Sequence, residues 1–209
     1  MAGNEMFTQE FWDQRYGRHE HVWSGRPNPH LVEHASALTP GRALDVGCGE
    51  GADAVWLAEH GWTVTAVDIS PVGLERAAGH AREAGLTITW RHADLFADGT
   101  EPFGAYELVT SQYLHMPPNL RERALGRLAA AVAPGGSLLV VSHHPLDLEI
   151  PGLRPNVPEL FYTASELAAH LDRSEWEIVL DAAPERTARP HGGDEVTIHD
   201  AVLLARQRR

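Results

Sequence analysis

Alternating glycines and an acidic residue mark one short segment of the chain as a candidate ligand loop. Residues 42–61 read RALDVGCGEGADAVWLAEHG and place Gly47, Gly49 and Gly51 on alternate positions. Glycines allow a tight turn and a close approach of the backbone to a ligand. The segment matches the pattern G-x-G-x-x-A, which on its own has low specificity. Asp45 lies two residues before the first glycine, where it would repel a pyrophosphate, so the loop favours a cationic ligand or one with an ammonium group.

A second acidic residue extends this site. Asp68 lies near the end of the stretch WTVTAVDI, 21 residues after Gly47. An acid at the tip of the second strand of such a unit hydrogen-bonds ribose hydroxyls. The two acids and the glycines therefore predict an adenosine-type ligand. Three further candidate motifs follow in order: HADL at 92–95, YELVTSQYLHM at 106–116 and APGGSLLVV at 133–141.

Alternating strands and helices are predicted around these motifs. Apolar and β-branched runs predict strands at 43–46, 63–67, 86–91, 106–111 and 137–141. Amphipathic or capped segments predict helices at 53–60, 71–84 and 120–132. Strict β-α alternation is typical of a mostly parallel sheet covered by helices on both faces. The carboxyl ends of its strands would then present the motifs at one edge.

The alternation of strands and helices is not kept at either end of the chain. Helices are predicted at 7–16 and 30–38, ahead of the first strand, and we assign 1–41 to a helical cap or lid and 42–209 to the main domain. After Ser142 a proline-containing loop is expected over 143–161, then a helix at 163–171 and strands at 175–180 and 197–205. That long loop fits either a substrate-shaping lid or an ordinary edge connection.

Composition excludes several function classes. All 17 basic residues are arginine and the net charge is −12. An acidic chain is a poor partner for nucleic acid or an anionic membrane, and the absence of lysine excludes a lysine Schiff base and a P-loop. Cys48 is the single cysteine, so neither an internal disulfide nor a thiolate metal cluster can form. With no apolar run of 18 residues, we expect a cytoplasmic protein.

Taken together, the five motifs resemble the class I S-adenosylmethionine-dependent methyltransferases. The resemblance is strong over 42–141 and loose over the C-terminal third. It implies an α/β, Rossmann-like, seven-stranded and mostly parallel sheet with helices on both faces and a reversed last strand. It also implies S-adenosylmethionine as cofactor and a small molecule as methyl acceptor.

The resemblance assigns roles in cofactor binding to the first three motifs. It implies that Asp45 and the loop glycines hold the methionine part and that Asp68 holds the ribose hydroxyls. Ile69 is expected to pack on the adenine. Asp94 would meet the adenine amino group, and Leu95 would offer its backbone to the ring.

The fourth motif is expected beside the reacting centre. The resemblance places Ser111 and Gln112 next to the methionine and the sulfonium. Glu107 stands where the family often has aspartate, a position that varies within the family.

The segment before the first strand is similar to a narrower group, the tellurite-resistance and thiopurine or halide/thiol methyltransferases. There the equivalent segment closes over the cofactor, with an aromatic near its methionine end. We transfer that role to Trp23 and, more weakly, to Trp12 and Tyr16. Arg26 is expected to pair with the methionine carboxylate. Simple packing of the two tryptophans on the body of the protein explains the segment equally well.

Substrate contacts are expected from residues that follow the fourth and fifth strands. The candidates there are Tyr113, His115 and His143, with His144 as a further possible base. Trp12 and Tyr16 of the N-terminal segment are further substrate candidates, because these aromatics could wall an apolar pocket. A thiol or another soft heteroatom needs no strong base, whereas a neutral amine or hydroxyl does. The favoured function is methylation of a small thiol or similar heteroatom. N- or O-methylation, a nicotinamide-dependent oxidoreductase and a non-catalytic cofactor-binding protein stay open as alternatives.

Two further motifs are interpreted without a function. HLVEH at 30–34 matches a zinc-protease pattern, but it falls in a helix that leads into the first strand, and we expect His30 and His34 to face solvent. No metal site is predicted. The terminal RQRR at 206–209 is expected to be a solvated tail rather than a nucleic-acid contact.

Overall fold

One sheet with helices on both faces forms the body of the protein. The computed structural model describes residues 5–150, 157–188 and 194–209. The strands are β1 (Arg42–Val46), β2 (Thr63–Asp68), β3 (Thr89–His92), β4 (Tyr106–Gln112), β5 (Val132–His143), β6 (Trp176–Ala182), β7 (Glu185–Ala188) and β8 (Val196–Gln207). The helices are α1 (Gln9–Arg18), α2 (Pro29–Ala35), α3 (Ala52–Glu59), α4 (Pro71–Glu83), α5 (Pro118–Ala130) and α6 (Ala164–Ala168).

The strand order confirms the predicted topology. Seven strands lie in the order β3-β2-β1-β4-β5-β8-β6. The first five in that row are parallel, and β8 is antiparallel to both β5 and β6. The reversed last strand is therefore β8. One strand is additional to the expected seven, because the short β7 pairs with β8 beside this row.

Several predicted bounds shift by a few residues. β5 begins at Val132, so this residue belongs to a strand and not to the end of the helix predicted over 120–132. β3 starts at Thr89 rather than at residue 86, and α6 covers only Ala164–Ala168. The loop predicted over 143–161 contains short 3-10 helices at Pro145–Glu149 and Pro158–Leu160, and its residues 151–156 lie outside the described part of the chain.

Two apolar layers fix the sheet between the helices. On one face α5 and α6 bury Leu125, Leu128 and Leu167 against the strands. On the other face α2 and α3 bury Leu31 and Leu57. Burial of apolar surface on both faces is what a parallel sheet requires. The loops at the carboxyl ends of β1, β2 and β4 are thereby held at one edge. Within the described ranges, no helix is both long and apolar enough to cross a membrane.

Candidate functional site

A cavity of about 500 Å³ opens at the carboxyl edge of the parallel strands. The glycine loop and the ends of β2 and β4 form its floor, and the segment from the N-terminal 3-10 helix to Pro29 covers it. The cavity is lined by most of the residues singled out in the sequence: Trp12, Tyr16, Trp23, Arg26, Gly47, Gly49, Asp68, Ile69, Asp94, Leu95, Gln112, Tyr113, His115 and His143. Asp45, Gly51, Ser111 and His144 are not in this lining.

The glycine loop is anchored to the second strand. The backbone N–H groups of Gly47 and Cys48 both donate to the carbonyl of Val67, at 2.8 and 3.1 Å. Gly49 has a φ of 53°, and a Cβ on it would lie 2.8 Å from the hydroxyl of Tyr16. Any side chain at Gly49 would therefore push against the segment that covers the loop.

Gly51 is expected to help hold the ligand, but it is not among the residues that line the cavity. A Cβ there would lie 2.7 Å from the Cβ of Ala77 on α4. This glycine is needed for the packing of the loop on α4, not for contact with a ligand in the cavity.

Asp68 links the loop to the start of α4. One carboxylate oxygen accepts from the backbone N–H of Gly49 and the other from that of Ser70, each at 2.8 Å. Burial raises the pKa of Asp68, and these two hydrogen bonds oppose the rise. The carboxylate lines the cavity and is held in one orientation.

Three carboxylates gather at this end of the site: Asp45 and Asp68 are buried, and Asp53 is partly buried. The side chain of Asp45 is buried, and its Oδ2 has no hydrogen-bond partner among the described residues. Burial raises the pKa of Asp45 well above its usual value, and the charges of Asp53 and Asp68 add to the rise. The pKa of Asp53 is raised to about 6 by burial. Clustered, desolvated carboxylates of this kind are stabilised by a cation.

Two amide side chains in the lining also have unsatisfied atoms. Within the described residues, Nδ2 of Asn28 has no acceptor and Oε1 of Gln112 has no donor, although both atoms are buried. Asn28 is fixed by two bonds: its backbone N–H donates to Asp53 at 2.6 Å, and its Oδ1 accepts from the N–H of His30 at 2.9 Å. The site therefore offers a free donor and free acceptors together.

The side of the cavity beyond β2 and β3 is more apolar. Ile69 and Leu95 lie in its wall with Phe96, whose ring packs edge-on against Phe7 at 6.0 Å. Asp94 also lines this side, and its Oδ1 accepts from the N–H of Phe96 at 2.7 Å. The resemblance described above predicts the adenine ring on this side of the cavity.

Ser111 is not brought to the cavity. Its side chain is buried, and its hydroxyl donates to the carbonyl of Val46 at 2.9 Å. Ser111 therefore joins the ends of β1 and β4, and its contact with the reacting centre stays a prediction without support from the lining of the cavity. Gln112, the next residue, points to the opposite face of the strand and lines the cavity.

The covering segment is fastened by hydrogen bonds. Glu50 accepts the backbone N–H groups of Val22 and Trp23 at 3.1 and 3.0 Å and pairs with Arg76 at 2.9 Å. The indole N–H of Trp23 donates to the hydroxyl of Tyr16 at 3.1 Å. Sequence patterns did not identify Glu50, because its partners lie 27 and 28 residues away.

The far end of the cavity is built around a strained residue. Tyr113 has a φ of 53°, a conformation that residues with a side chain rarely adopt and that is found at functional sites. Its ring stacks on His143 at 4.5 Å, and the His143 ring lies 5.7 Å from that of His115. Arg186 from β7 completes this end. His144 instead caps the following 3-10 helix, where its Nδ1 accepts from Leu146.

Behind this end lies a buried ion pair. Asp200 on β8 is fully buried and accepts from Arg186 Nε at 2.6 Å and from His30 Nε2 at 3.2 Å. Burial raises the pKa of Asp200, but the hydrogen bonds from His30 and Arg186 prevail and bring it to about 2. The solvent-facing role expected for His30 is wrong, since its side chain is only 11% exposed.

Known proteins resemble this chain in both sequence and fold. Residues 43–136 match a family model described as a methyltransferase domain. An uncharacterized methyltransferase of Mycobacterium tuberculosis is 35% identical over 161 residues, which cover 77% of this chain and 76% of that protein. The chain belongs to the S-adenosylmethionine-dependent methyltransferases.

Two further relatives are informative. The 2-heptyl-1-hydroxyquinolin-4(1H)-one methyltransferase of Mycobacteroides abscessus is 37% identical over 125 residues, or 57% of this chain. The match spans 54% of that enzyme, so the chain described here covers about half the length of this relative. A structure solved for the conversion of a disulfide bond into a thioacetal group during echinomycin biosynthesis has a TM-score of 0.73 and 25% identity, and the match covers 96% of this chain and 92% of that one.

The cavity of this methyltransferase fits S-adenosylmethionine. The cofactor carries a positively charged sulfonium, which favours nearby carboxylates, an ammonium group, which needs acceptors, and a carboxylate, which needs donors. In the lining, the unsatisfied oxygen of Gln112 is an acceptor and the unsatisfied nitrogen of Asn28 is a donor. Asp53 and Asp68 supply the carboxylates of the lining, and Asp45 is buried outside it. Clustered carboxylates with raised pKa values also favour a cation over the pyrophosphate of a nicotinamide cofactor.

Proposed function

We propose that this methyltransferase transfers a methyl group to an acidic heteroatom of a small organic molecule, with a thiol as the preferred acceptor. S-adenosylmethionine supplies an electrophilic methyl group on a positively charged sulfur. The protein must then align the acceptor with that methyl group and exclude water. The cavity and its cover suit both tasks.

We assign the cofactor to the carboxylate-rich end. Asp53, Gln112 and Asn28 would hold its amino-acid part, with the carboxyl group of Asp45 adding negative charge from outside the lining, and Arg26 would approach its carboxylate. Asp68 would accept from the ribose hydroxyls through the lone pairs that Gly49 and Ser70 leave available. Ile69, Asp94 and Leu95 would surround the adenine. Residues 1–41 would act as the cap over the cofactor, as in the tellurite-resistance and thiopurine group.

The observation that carries the thiol proposal is that, among the described residues, the acceptor end offers no free carboxylate to act as a base. Burial and the charge of Asp200 raise the pKa of Tyr113 to about 12, so its hydroxyl stays protonated near neutral pH. Asp200 is itself engaged by Arg186 and His30. Among the described residues, no carboxylate at this end is available to take a proton. A thiol ionises in solution at a pKa of about 8.5 and needs little help.

Two other observations support sulfur. The solved structure reported above comes from work on a disulfide that becomes a thioacetal, which is sulfur chemistry. The wall formed by Tyr113 and His143 is flat and aromatic, which suits an organic acceptor better than an inorganic anion.

A second candidate function is O-methylation of a hydroxylated aromatic ring. It is favoured by the similarity to the hydroxyquinolone methyltransferase and by the two histidines that line the cavity. His115 or His143 would then act as general base. The two functions differ in whether catalysis depends on these histidines.

The proposal is tested by methyl transfer to matched acceptors. Thiophenol, phenol and aniline share one ring and differ in the acceptor atom, and product formation with S-adenosylmethionine is followed by mass spectrometry. We expect the thiol to be methylated fastest, with a rate that rises as it ionises. Turnover of phenol or aniline without turnover of the thiol would contradict the proposal. Stabilisation by S-adenosylhomocysteine, but not by NAD, confirms in the same samples that the cofactor end is intact.

A further inference from the structure

A guanidinium group reaches the acceptor end of the cavity from a strand outside the main sheet order. Arg186 belongs to β7, which among the described residues pairs with β8 and lies off the path of the other seven strands. Its partner in the register is Ile198, two residues before Asp200. The short added strand therefore delivers one cationic side chain to the wall of the cavity.

The hydrogen bonds of Arg186 leave part of the guanidinium available. Nε and Nη2 donate to the two oxygens of Asp200 at 2.6 and 3.3 Å, and Nη2 also donates to the hydroxyl of Tyr113 at 3.3 Å. A guanidinium has five N–H donors, so these bonds use those on Nε and Nη2. The donors on Nη1 have no acceptor in the parts of the chain that the structure describes.

The two partners of this ion pair differ in their exposure, so only the cationic one faces the cavity. The carboxylate of Asp200 is fully buried, whereas the side chain of Arg186 is 34% exposed and lines the cavity. His30 supports the carboxylate from behind at 3.2 Å. The positive end of the pair therefore faces the acceptor, and the negative end is shielded by protein.

Apart from Arg26 in the covering segment, the other charged side chains in the described lining are acidic. Glu50, Asp53, Asp68 and Asp94 line the cofactor end, where a cation fits. One cavity thus has an acidic end and a cationic group at the other end. An acceptor with a negative group would be oriented by this difference, because the acidic end would repel it and Arg186 would attract it.

We propose that Arg186 binds a carboxylate of the acceptor that does not itself react, and that the preferred substrate is a small aromatic thiol acid. The inference rests on the proposed function, because it places the acceptor in this cavity. The stack of Tyr113 on His143 supplies a flat surface for the ring. The donors on Nη1 supply the charge-assisted hydrogen bonds to the carboxylate.

The test compares an acid with its uncharged isostere. The full chain is supplied with S-adenosylmethionine and with either mercaptobenzoate or mercaptobenzamide, which differ in charge but hardly in shape. We expect kcat/KM to favour the acid by about tenfold, the scale that separates a charge-assisted from a neutral hydrogen bond. Arg186→Gln should bring the ratio close to one, mainly through KM. Arg42→Gln, which removes an exposed guanidinium paired with Glu107 at 3.1 Å, should keep the ratio.

A second variant guards against loss of folding. Arg186→Gln leaves a buried charge at Asp200, so the double change Arg186→Gln, Asp200→Asn removes both charges and should show the same loss of discrimination. Stabilisation by S-adenosylhomocysteine confirms that each variant is folded. An unchanged ratio of acid to amide in a folded variant overturns the inference.

The binding measurement separates this inference from the proposed function. If the wild-type protein methylates neither compound, both are titrated calorimetrically into its complex with S-adenosylhomocysteine. Tighter binding of the acid, lost in the double variant, supports the role of Arg186 while the thiol proposal fails. Equal dissociation constants for acid and amide overturn the role of Arg186.

Discussion

The carboxylate of Glu50 accepts the backbone N–H of Trp23 at 3.0 Å. Glu50 belongs to the glycine loop and Trp23 to the segment that covers the cavity, so one buried side chain joins the floor of the site to its cover. Arg76 on α4 balances the charge of Glu50 at 2.9 Å and also donates to the carbonyl of Glu20 at 3.1 Å. The position of the cover is therefore coupled to the loop that we assign to the cofactor.

Removing this carboxylate should release the cover. We expect Glu50→Ala to weaken the binding of S-adenosylhomocysteine by about 1.5–3 kcal/mol, the usual contribution of hydrogen bonds to a charged group. Hydrogen exchange should accelerate at the amides of Val22 and Trp23. Glu107→Ala, which removes an exposed carboxylate bonded to Arg42, is the control. Unchanged protection and affinity in Glu50→Ala would mean that aromatic packing alone holds the cover.

Asp53 should make the cofactor-free protein more stable at mildly acidic pH. Burial raises its pKa to about 6, whereas an unfolded aspartate ionises at about 3.9. Between these values the folded state binds more protons, so this group's contribution to stability falls as pH rises from about 4 to about 6. Asp53→Asn should therefore raise the free energy of unfolding at pH 7 by up to about 3 kcal/mol and change little at pH 4.

Denaturant unfolding at the two pH values measures this effect, and Glu83→Gln, an exposed carboxylate on α4, is the control. The same Asp53→Asn variant should bind S-adenosylmethionine more weakly, because the cofactor's positive charge loses a nearby carboxylate. A variant that is less stable than the wild type at pH 7 would contradict the interpretation.

Asp68 should affect both the cofactor and the loop. Asp68→Ala removes the acceptor for the N–H groups of Gly49 and Ser70. We expect binding of S-adenosylhomocysteine to weaken by about 1–3 kcal/mol, measured by calorimetry. The melting temperature without ligand should fall as well, since two buried N–H groups lose their acceptor. Unchanged affinity would place the ribose elsewhere.

The two histidines distinguish the acceptor classes. With a thiol assayed above its own pKa, His115→Ala or His143→Ala should reduce kcat less than tenfold, because no proton has to be removed. With a hydroxylated acceptor, loss of a true general base should cost about a hundredfold or more. A loss of that size with the preformed thiolate would contradict the thiol proposal and favour oxygen or nitrogen as the acceptor atom.

Local sequence was sufficient to predict the fold and to single out residues that line one cavity. Strand and helix alternation from Arg42 to Val141 depends on the spacing of apolar residues, and the observed strands follow it. The first two glycines lie in the loop that directly follows β1, and Asp68 is the last residue of β2. Their position at the carboxyl edge of the sheet follows from chain direction alone.

Local sequence failed where side-chain direction or distant pairing decides. Ser111 and Gln112 are adjacent, yet the two faces of β4 send one to Val46 and the other to the cavity. His30 and Asp200 are 170 residues apart in the chain and meet only in the folded protein. Asn28 and Asp53 were likewise not singled out, because the bond between them joins the cover to α3.

The position of β7 at the margin of the sheet bears on how such enzymes diverge. A strand that pairs with only one neighbour can change its sequence, length or loop without interrupting the ladder of the other seven strands. Substitutions in β7 would alter Arg186 and its surroundings while the glycine loop stays intact. New acceptor preferences could therefore arise here through few mutations, and a library randomised at Glu185–Ala188 is a direct starting point for laboratory evolution.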